Sequence, residues 1–216
     1  MRLVLASNNA KKLSELRALL ALAHDEGSAA PLTLHAQGEF GVPEAEEPHG
    51  TFVENALAKA RHAARATGGP AIADDSGLCV AALDGAPGVA SAEAAGRLPS
   101  GPDREATRRA QDAANNAWLL CRLQGVADRR ARFVSTLVAL RAADDPEPLI
   151  AFGRWEGTIL AAARGEGGFG YDPLMFIPAL GATVASLNPE LKNAHSHRAL
   201  AAAQMRALMR QHWFAP

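Results

Sequence analysis

Short apolar runs alternate with stretches of helical period along the first part of the chain. Residues 2–6, "RLVLA", form a compact apolar run, and the polar stretch "SNNAKK" follows it. Leu13, Leu16, Leu19 and Leu20 then recur at the spacing of one helix face. This pattern predicts a β-strand, a polar loop and an α-helix, in that order.

The alternation continues through the next fifty residues. Residues 32–36, "LTLHA", alternate apolar and polar positions as a second strand does, and a loop rich in Gly, Pro and acidic residues follows. Thr51 and Glu54 then have the spacing of a capping box, in which the threonine hydroxyl accepts from the Glu54 amide. A helix is therefore predicted over 52–67, and "GGP" stops it.

The rest of the chain adds more strands and two long helices. Apolar runs predict strands over 71–74, 78–83, 131–141, 147–159 and 174–177, and helical spacing predicts helices over about 103–124 and 196–212. The order β-α-β-α-β, followed by hairpin-like strands and a helix, predicts an α/β fold. We expect a mixed, twisted central sheet flanked by helices, within one domain spanning residues 1–216.

Composition limits the classes of function. The formal net charge of −1 gives no general attraction for nucleic acid. The N-terminal apolar stretch is too short for a signal peptide, and no run of about 18 apolar residues suggests a membrane span. Cys79 and Cys121 are too few for a disulfide framework or a metal quartet, and both are predicted to be buried, reduced thiols. We therefore expect a cytoplasmic protein without a nucleic-acid or membrane partner.

Two adjacent aspartates, Asp74 and Asp75, follow the apolar run "AIA" at the predicted end of a strand. Neighbouring like charges cost free energy unless a cation or a shared proton offsets the repulsion. Glu46 and Glu47 bring further carboxylates ahead of the capped helix. Hard oxygen ligands of this kind suit Mg²⁺, which keeps several waters and is completed by substrate phosphates. The alternative for the two glutamates is a solvated acidic loop.

Three other segments carry candidate chemistry. The stretch 7–12 joins small polar residues and two lysines to a helix start, where an anion is favoured; an ordinary helix cap is the alternative. "GEGGFG" (165–170) has the spacing of a dinucleotide motif, but Pro173 and an apolar run follow where that motif needs a helix. We interpret it as a ligand-facing loop in which Phe169 and Tyr171 offer stacking faces. "LKNAHSHR" (191–198) brings cations to a helix start capped by Ser196.

Together these segments resemble the inosine triphosphate pyrophosphatase family. The resemblance lies in "ASNNAKKLSEL", "EEPHGTFVENALAKARHA", "AIADDSGL", "GAPG", "GGFGYDP" and "KNAHSHR", which occur in the family's order and cover nearly the whole chain. It implies a homodimeric, Mg²⁺-dependent α/β enzyme with a cleft between two lobes. The implied reaction is hydrolysis of non-standard purine nucleoside triphosphates, such as ITP, dITP and XTP, to the monophosphate and pyrophosphate.

The resemblance also implies roles for individual residues. The catalytic group comprises Asp75, Asp74 and Lys59. The metal ligands are Glu46, Glu47 and Asp75. The substrate-binding residues are Ser7, Asn8, Asn9, Lys11, Lys12, Ser76, Phe169, Gly170, Tyr171, Asp172, Lys192, His197 and Arg198.

Two alternative functions stay open at this point. One is a pyrophosphatase that acts on modified pyrimidine or methylated nucleotides, which a panel of nucleotides would separate. The other is a nucleotide-binding sensor without turnover, which would need no carboxylate pair. A phosphatase with an aspartyl nucleophile is disfavoured because "DDSG" lacks the D-x-D spacing of that chemistry.

Overall fold

The structure is a computed structural model that describes residues 1–21, 32–99 and 101–214. Its strands are β1 (Arg2–Leu5), β2 (Thr33–Ala36), β3 (Ala71–Val80), β4 (Arg130–Leu140), β5 (Leu149–Ile159), β6 (Met175–Ile177) and β7 (Ala182–Thr183). Its α-helices are α1 (Ala10–Ala21), α2 (Phe52–Thr67), α3 (Arg104–Arg122), α4 (Pro189–His195) and α5 (His197–His212). Short 3₁₀ turns connect several of these elements.

The strands form one mixed sheet in the order β2-β1-β3-β4-β5-β6-β7. Strand β1 pairs in parallel with both β2 and β3, whereas β6 pairs antiparallel with β5 and β7. The predicted α/β fold with a mixed sheet is confirmed. Two short elements, β7 and α4, were not predicted, because two strand residues and seven helical residues give almost no periodic signal.

The prediction of two separate strands over 71–74 and 78–83 is wrong. A single strand, β3, runs from Ala71 to Val80, so Asp74 and Asp75 lie inside it instead of in a loop after it. The strand continues because charged partners from other elements surround both carboxylates. A buried charge is tolerated when it is paired and hydrogen-bonded.

By its internal contacts the chain divides into two compact units. Unit 1 comprises residues 1–75, 135–154 and 195–216, and unit 2 comprises residues 76–134 and 155–194. Each unit has a buried hydrophobic cluster of its own. A single domain over 1–216 stays a prediction.

Unit 1 has helices on both faces of its strands, as the two-residue period of a strand requires. Leu3 and Leu5 of β1 point into a cluster with helices α1 and α5, to which α1 contributes Leu16. Val4 between them points into the opposite cluster, where α2 packs through alanines. Small side chains let α2 approach the sheet closely. This second cluster contains Ala56, Ala60, Ala63 and Ala64 of α2.

Helix α2 begins where its cap was predicted. The Thr51 hydroxyl accepts from the Glu54 amide at 3.3 Å and donates to the Glu54 carboxylate at 2.6 Å. Gly68 ends the helix in the left-handed conformation, with φ of 67°. The cap sets the start of the helix and so the position of Lys59, two turns further on.

Unit 2 packs α3 on its strands through a separate cluster. Leu119 and Leu123 are fully buried against Leu78 and Val80 of β3. Cys121 lies between those leucines in sequence and therefore on another side of the helix. It is exposed, so the prediction that it is buried is wrong, whereas Cys79 is buried as predicted.

None of the helices in the described part of the chain is both long and apolar enough to cross a membrane.

Gly153 of β5 marks a close approach of strand and helix within unit 1. A Cβ atom placed on it would lie 1.8 Å from the carbonyl oxygen of His197 and 2.7 Å from the amide nitrogen of Ala201. Because these are backbone atoms of α5, the helix would have to move. We expect Gly153→Ala to lower the free energy of unfolding in urea by about 3 kcal/mol.

The control is Gly50→Ala, because a Cβ at Gly50 meets nothing within 4 Å. It should change the free energy of unfolding by less than about 0.5 kcal/mol. Equal stability of the two variants would contradict the close packing of α5 on β5.

Candidate active site

The parallel pairing of β1 and β3 places the aspartate pair beyond the end of β1. Leu5 pairs with Ile72, and the amide of Ala6 donates to the carbonyl of Ile72 at 2.8 Å. Strand β3 continues past Ile72, whereas β1 ends at Leu5. Asp74 therefore lies beyond the carboxyl end of β1, next to the segment that leads into α1. Carboxyl ends of parallel strands are the usual place for ligands in α/β sheets.

Asp74 is buried at the centre of a charged cluster in unit 1. Its Oδ2 accepts from Arg198 Nη2 at 3.0 Å and Nε at 3.2 Å, and lies 3.1 Å from Lys12 Nζ. Its Oδ1 accepts from the Ser135 hydroxyl at 2.7 Å. Arg198 also donates to Glu15. Asp74 is 1 % exposed and binds two cations, Arg198 and Lys12, so it anchors both side chains.

Asp75 belongs to a different cluster. Lys59 Nζ donates to Asp75 Oδ1 at 2.7 Å and to Glu47 Oε2 at 2.9 Å, so one ammonium joins the two carboxylates. The other oxygen, Asp75 Oδ2, is buried and accepts no hydrogen bond from any donor in the described residues. Glu47 and Asp75, which were predicted to be ligands of one metal ion, are thus brought together.

The adjacent aspartates have opposite acidities. Burial alone would raise the pKa of Asp74, but Arg198, Lys12 and the Ser135 hydroxyl together hold that pKa far below its usual range. Burial raises the pKa of Asp75 to about 6, and the Glu47 carboxylate adds to the rise while Lys59 opposes it. A pair of carboxyl groups with separated pKa values is typical of acid–base chemistry. Asp75 is the member whose acidity suits a general base.

The residues around Asp75 fit a divalent cation. Glu47 and Asp75 supply two hard carboxylates, and the buried Oδ2 has no donor of its own among the described residues. When both are ionised, the single charge of Lys59 does not neutralise them. Glu46 is exposed, and the structure shows no contact of it with Asp75. Across the described ranges, no three Asp, Glu, His or Cys side chains form a metal-binding group, so most of the coordination would come from water and phosphate.

The predicted phosphate loop caps α1. The Asn9 side chain accepts from the amides of Lys11 and Lys12 at 3.0 and 3.3 Å, and the Ser7 hydroxyl accepts from the Asn9 amide at 3.1 Å. Lys11 is exposed, whereas the Lys12 side chain is 18 % exposed and reaches Asp74. Burial lowers the pKa of Lys12, although Asp74 opposes the shift. Asn8 is partly buried. Phosphate binding by these residues stays a prediction.

The start of α5 brings His197 and Arg198 into unit 1. The Ser196 hydroxyl caps the helix by accepting from the Ala199 amide at 3.1 Å. His197 is buried, and Arg198 is 1 % exposed with its guanidinium on Asp74 and Glu15. The contacts of Arg198 are therefore those of an anchor within unit 1. Binding of a base by these two residues stays a prediction.

The remaining predicted residues lie in unit 2. The Asp172 carboxylate accepts from the Phe169 amide and from Lys192 Nζ, each at 3.0 Å, and the Lys192 ammonium lies 4.8 Å from the centre of the Phe169 ring. Ser76, the first residue of unit 2, is partly buried in β3. This group of Phe169, Asp172 and Lys192, here called the aromatic platform, combines a ring face with a cation.

Tyr171 differs from the prediction. It is 4 % exposed in the core of unit 2, and its hydroxyl donates to the carbonyl of Ser91 at 2.9 Å. Burial raises the pKa of this hydroxyl well above its usual range, and Asp112 adds to the rise. The ring is part of the hydrophobic core and offers no free stacking face, so that expectation is wrong.

Two residues of the Asp74 cluster escaped sequence analysis. Ser135 lies within the strand-like run of β4, and Glu15 follows the predicted loop on α1. A polar residue in an apolar strand is a weak sign of a buried partner. In "FVSTLVAL" the serine was the available sign of such a partner. The contact of Glu15 with Arg198 joins residues 183 positions apart, and no sequence signal indicated it.

The mixed sheet and the two charged clusters at the end of β1 define a class: an α/β enzyme with a carboxylate–lysine centre suited to charged substrates. Comparison with known proteins identifies the family. A sequence model of the Ham1 family matches residues 3–208, so the chain belongs to the Ham1 family.

Several proteins are similar to this chain over almost its full length. It is 68% identical to a dITP/XTP pyrophosphatase of Methylibium petroleiphilum over 215 residues, covering 100% of both chains. It is 61% identical to a dITP/XTP pyrophosphatase of Burkholderia pseudomallei, covering 93% of this chain and 89% of that one. A solved HAM1 protein from Coxiella burnetii is 41% identical with a TM-score of 0.83, covering 98% and 99% of the two chains. The Staphylococcus aureus Ham1 protein is 34% identical with a TM-score of 0.80 at the same coverage.

Proposed function

We propose that this protein hydrolyses non-standard purine nucleoside triphosphates, such as ITP, dITP and XTP, to the monophosphate and pyrophosphate. The observation that carries the proposal is the group of Asp75, Lys59 and Glu47, in which a carboxylate of raised pKa lies on a lysine. The relatives named dITP/XTP pyrophosphatase support the same reaction.

The reaction is an attack of water on the α-phosphorus, which forms one P–O bond and breaks the bond to the leaving pyrophosphate. Asp75 orients the water and accepts its proton. Lys59 donates to Oδ1 of this carboxylate and so fixes its orientation. A pKa of about 6 keeps the carboxylate ionised at neutral pH while leaving it basic enough to act.

Glu47 and Asp75, with Glu46 next to Glu47 in sequence, are the residues that would hold Mg²⁺. When bound, Mg²⁺ lowers the pKa of water and offsets the charge of the carboxylates and phosphates. The two lysines then have separate tasks. Lys59 keeps the Asp75 carboxylate oriented, and Lys12 together with Lys59 stabilises charge that develops on the phosphate oxygens.

The cationic end of the aromatic platform suits a base with an oxygen at position 6. The Phe169 ring can stack on a purine, and the Lys192 ammonium offers only donors. Lys192 already donates to Asp172, and its ammonium has further protons to donate. Hypoxanthine and xanthine can accept one of them at O6, whereas adenine would turn its N6 donor toward the ammonium. Such a mismatch can discriminate by roughly 10⁴-fold.

Other parts of the expectation remain proposals. Free nucleoside triphosphates are the proposed substrates, so we propose that the protein acts in the cytoplasm. The homodimer and the substrate cleft implied by the family resemblance stay predictions.

The test is pyrophosphate release from ITP, dITP, XTP, GTP and ATP, with and without Mg²⁺. We expect kcat/KM for ITP to exceed that for ATP by about 10⁴-fold, and turnover to stop when EDTA removes the metal. A 5-methylated pyrimidine triphosphate in the panel tests the alternative substrate class. Equal kcat/KM for ATP and ITP, or orthophosphate as the product, would refute the proposal, and binding without turnover would indicate a sensor.

A further inference from the structure

Helix α3 holds the loop that carries the aromatic platform. Asp112 and Asn116 are four residues apart, so they lie on one face of α3. The Gly170 amide donates to Asp112 Oδ2 at 2.8 Å, and Asn116 Nδ2 donates to the Gly170 carbonyl at 2.9 Å. Both backbone polar groups of Gly170 are therefore bound by side chains of a single helix.

Gly170 lies in a loop without a regular hydrogen-bond ladder. Its φ is 61° and that of Gly168 is 76°, both in the left-handed region that favours glycine. Glycine has the largest backbone entropy to lose, so such a segment needs specific contacts to keep one conformation. The two bonds from α3 supply contacts of this kind, across 58 and 54 residues of sequence.

The held peptide lies inside the platform itself. Phe169 directly precedes Gly170, and Asp172, which accepts from both the Phe169 amide and Lys192, lies two residues after it. A rotation of the Gly170 peptide would therefore move the Phe169 ring relative to the Lys192 ammonium, which now lies 4.8 Å from the ring centre.

The orientation of the Asn116 amide is determined. Its Oδ1 is buried and has no hydrogen-bond partner in the described ranges, which costs free energy. Rotating the amide by 180° would bring Oδ1 against the Gly170 carbonyl oxygen, and two acceptors would then face each other. The side chain keeps its less favourable Oδ1 environment because the bond to Gly170 requires Nδ2 on that side.

We propose that Asp112 and Asn116 are positioning residues that set the aromatic platform for the purine base. They act through Gly170 and touch no reacting atom. The inference rests on the proposed function for its consequence, since the platform is taken to bind the base, but the contact with Gly170 stands on geometry alone. The roles of Asp112 and Asn116 therefore concern substrate affinity and base choice.

The experiment compares Asp112→Ala and Asn116→Ala with the wild type. We expect KM for ITP to rise about tenfold in each, with kcat changed by less than about threefold. Inorganic tripolyphosphate, which carries the phosphates without a base, should inhibit wild type and variants with the same inhibition constant. Asp112→Asn keeps an acceptor oxygen for the Gly170 amide and should raise KM by only about threefold.

Glu105→Ala is the matched control, because Glu105 lies on the exposed first turn of the same helix. It should leave both constants unchanged. A merely structural role of α3 would weaken inhibition by tripolyphosphate and turnover of ITP together, or would give the same KM in Asp112→Asn and Asp112→Ala. Either result would overturn the proposal, as would a KM within twofold of wild type in both alanine variants.

Amide hydrogen exchange separates this inference from the proposed function. Residues 168–172 should exchange at least about tenfold faster in both alanine variants than in the wild type, whatever the substrate is. If the wild type releases no pyrophosphate from ITP, the proposed function fails, and the exchange rates still decide whether α3 holds the loop. Unchanged exchange would refute the contact itself.

Discussion

Asp75→Asn is expected to lower kcat/KM for dITP by about 10³-fold while leaving the fold intact. The amide cannot accept the proton of the attacking water. It also removes one of the two carboxylates on Lys59, and Asp75 is the one whose pKa, raised by burial to about 6, suits a base. The measurement is pyrophosphate release, with urea unfolding of the same preparation to establish that the variant is folded.

Asp144→Asn is the control for this variant, because Asp144 is an exposed aspartate of unit 1 and the change removes the same charge. It should keep wild-type kcat/KM. Near-normal hydrolysis of dITP by Asp75→Asn would remove Asp75 from the reaction, and a kcat/KM loss shared by Asp144→Asn would trace the effect to overall charge.

Asp74→Asn is expected to act on stability, with a loss of about 3 kcal/mol in the free energy of unfolding. The substitution keeps the shape of the side chain and removes the charge that Arg198 and Lys12 share. Leaving a buried cation without its counter-charge is among the costliest single changes in a protein interior. The measurement is the urea midpoint and slope at neutral pH, where Asp74 is fully ionised because its pKa is far below its usual range.

Ser135→Ala provides a milder test of the same cluster if Asp74→Asn does not fold. It removes a hydroxyl that donates to Asp74 Oδ1 at 2.7 Å and should cost about 1.5–3 kcal/mol. A loss below about 0.5 kcal/mol in both variants would show that the Asp74 cluster does not stabilise the fold. Our inference that Asp74 serves stability while its neighbour Asp75 serves the reaction would then be wrong.

Much of the fold follows from local pattern. The strand "RLVLA" alternates its side chains between two buried faces, and the cap at Thr51 sets the start of α2, so both were predictable from neighbouring residues. The motif at residues 71–78 identified Asp74 and Asp75 as candidate site residues, although the strand was expected to end at Asp74. Local pattern could not show that β3 continues, because the groups that make a buried carboxylate acceptable come from α1, β4 and α5.

The candidate site divides in the same way. Lys59 lies on the capped helix and Glu47 lies just before it. The family resemblance grouped both with Asp75, but it implied no contact between Lys59 and Asp75. Tyr171 was wrongly predicted to offer a stacking face, because its position in a glycine-rich loop does not show that its ring enters the core of unit 2. The contacts of Gly170 with α3 join residues more than 50 positions apart, a distance at which no spacing rule applies.

The sequence alone predicts a mixed α/β fold with paired acids, two candidate phosphate-binding lysines and a glycine-rich loop. These features are readable because hydrophobic period, helix caps and turn residues act over a few positions. Only the tertiary structure showed that Asp74 lies on Arg198 and Lys12, whereas Asp75 lies on Lys59 and has a raised pKa. The reason is physical: the acidity of a carboxyl group depends on its burial and on the charges within a few ångströms. For Asp74 and Asp75 those charges come from different elements of the fold.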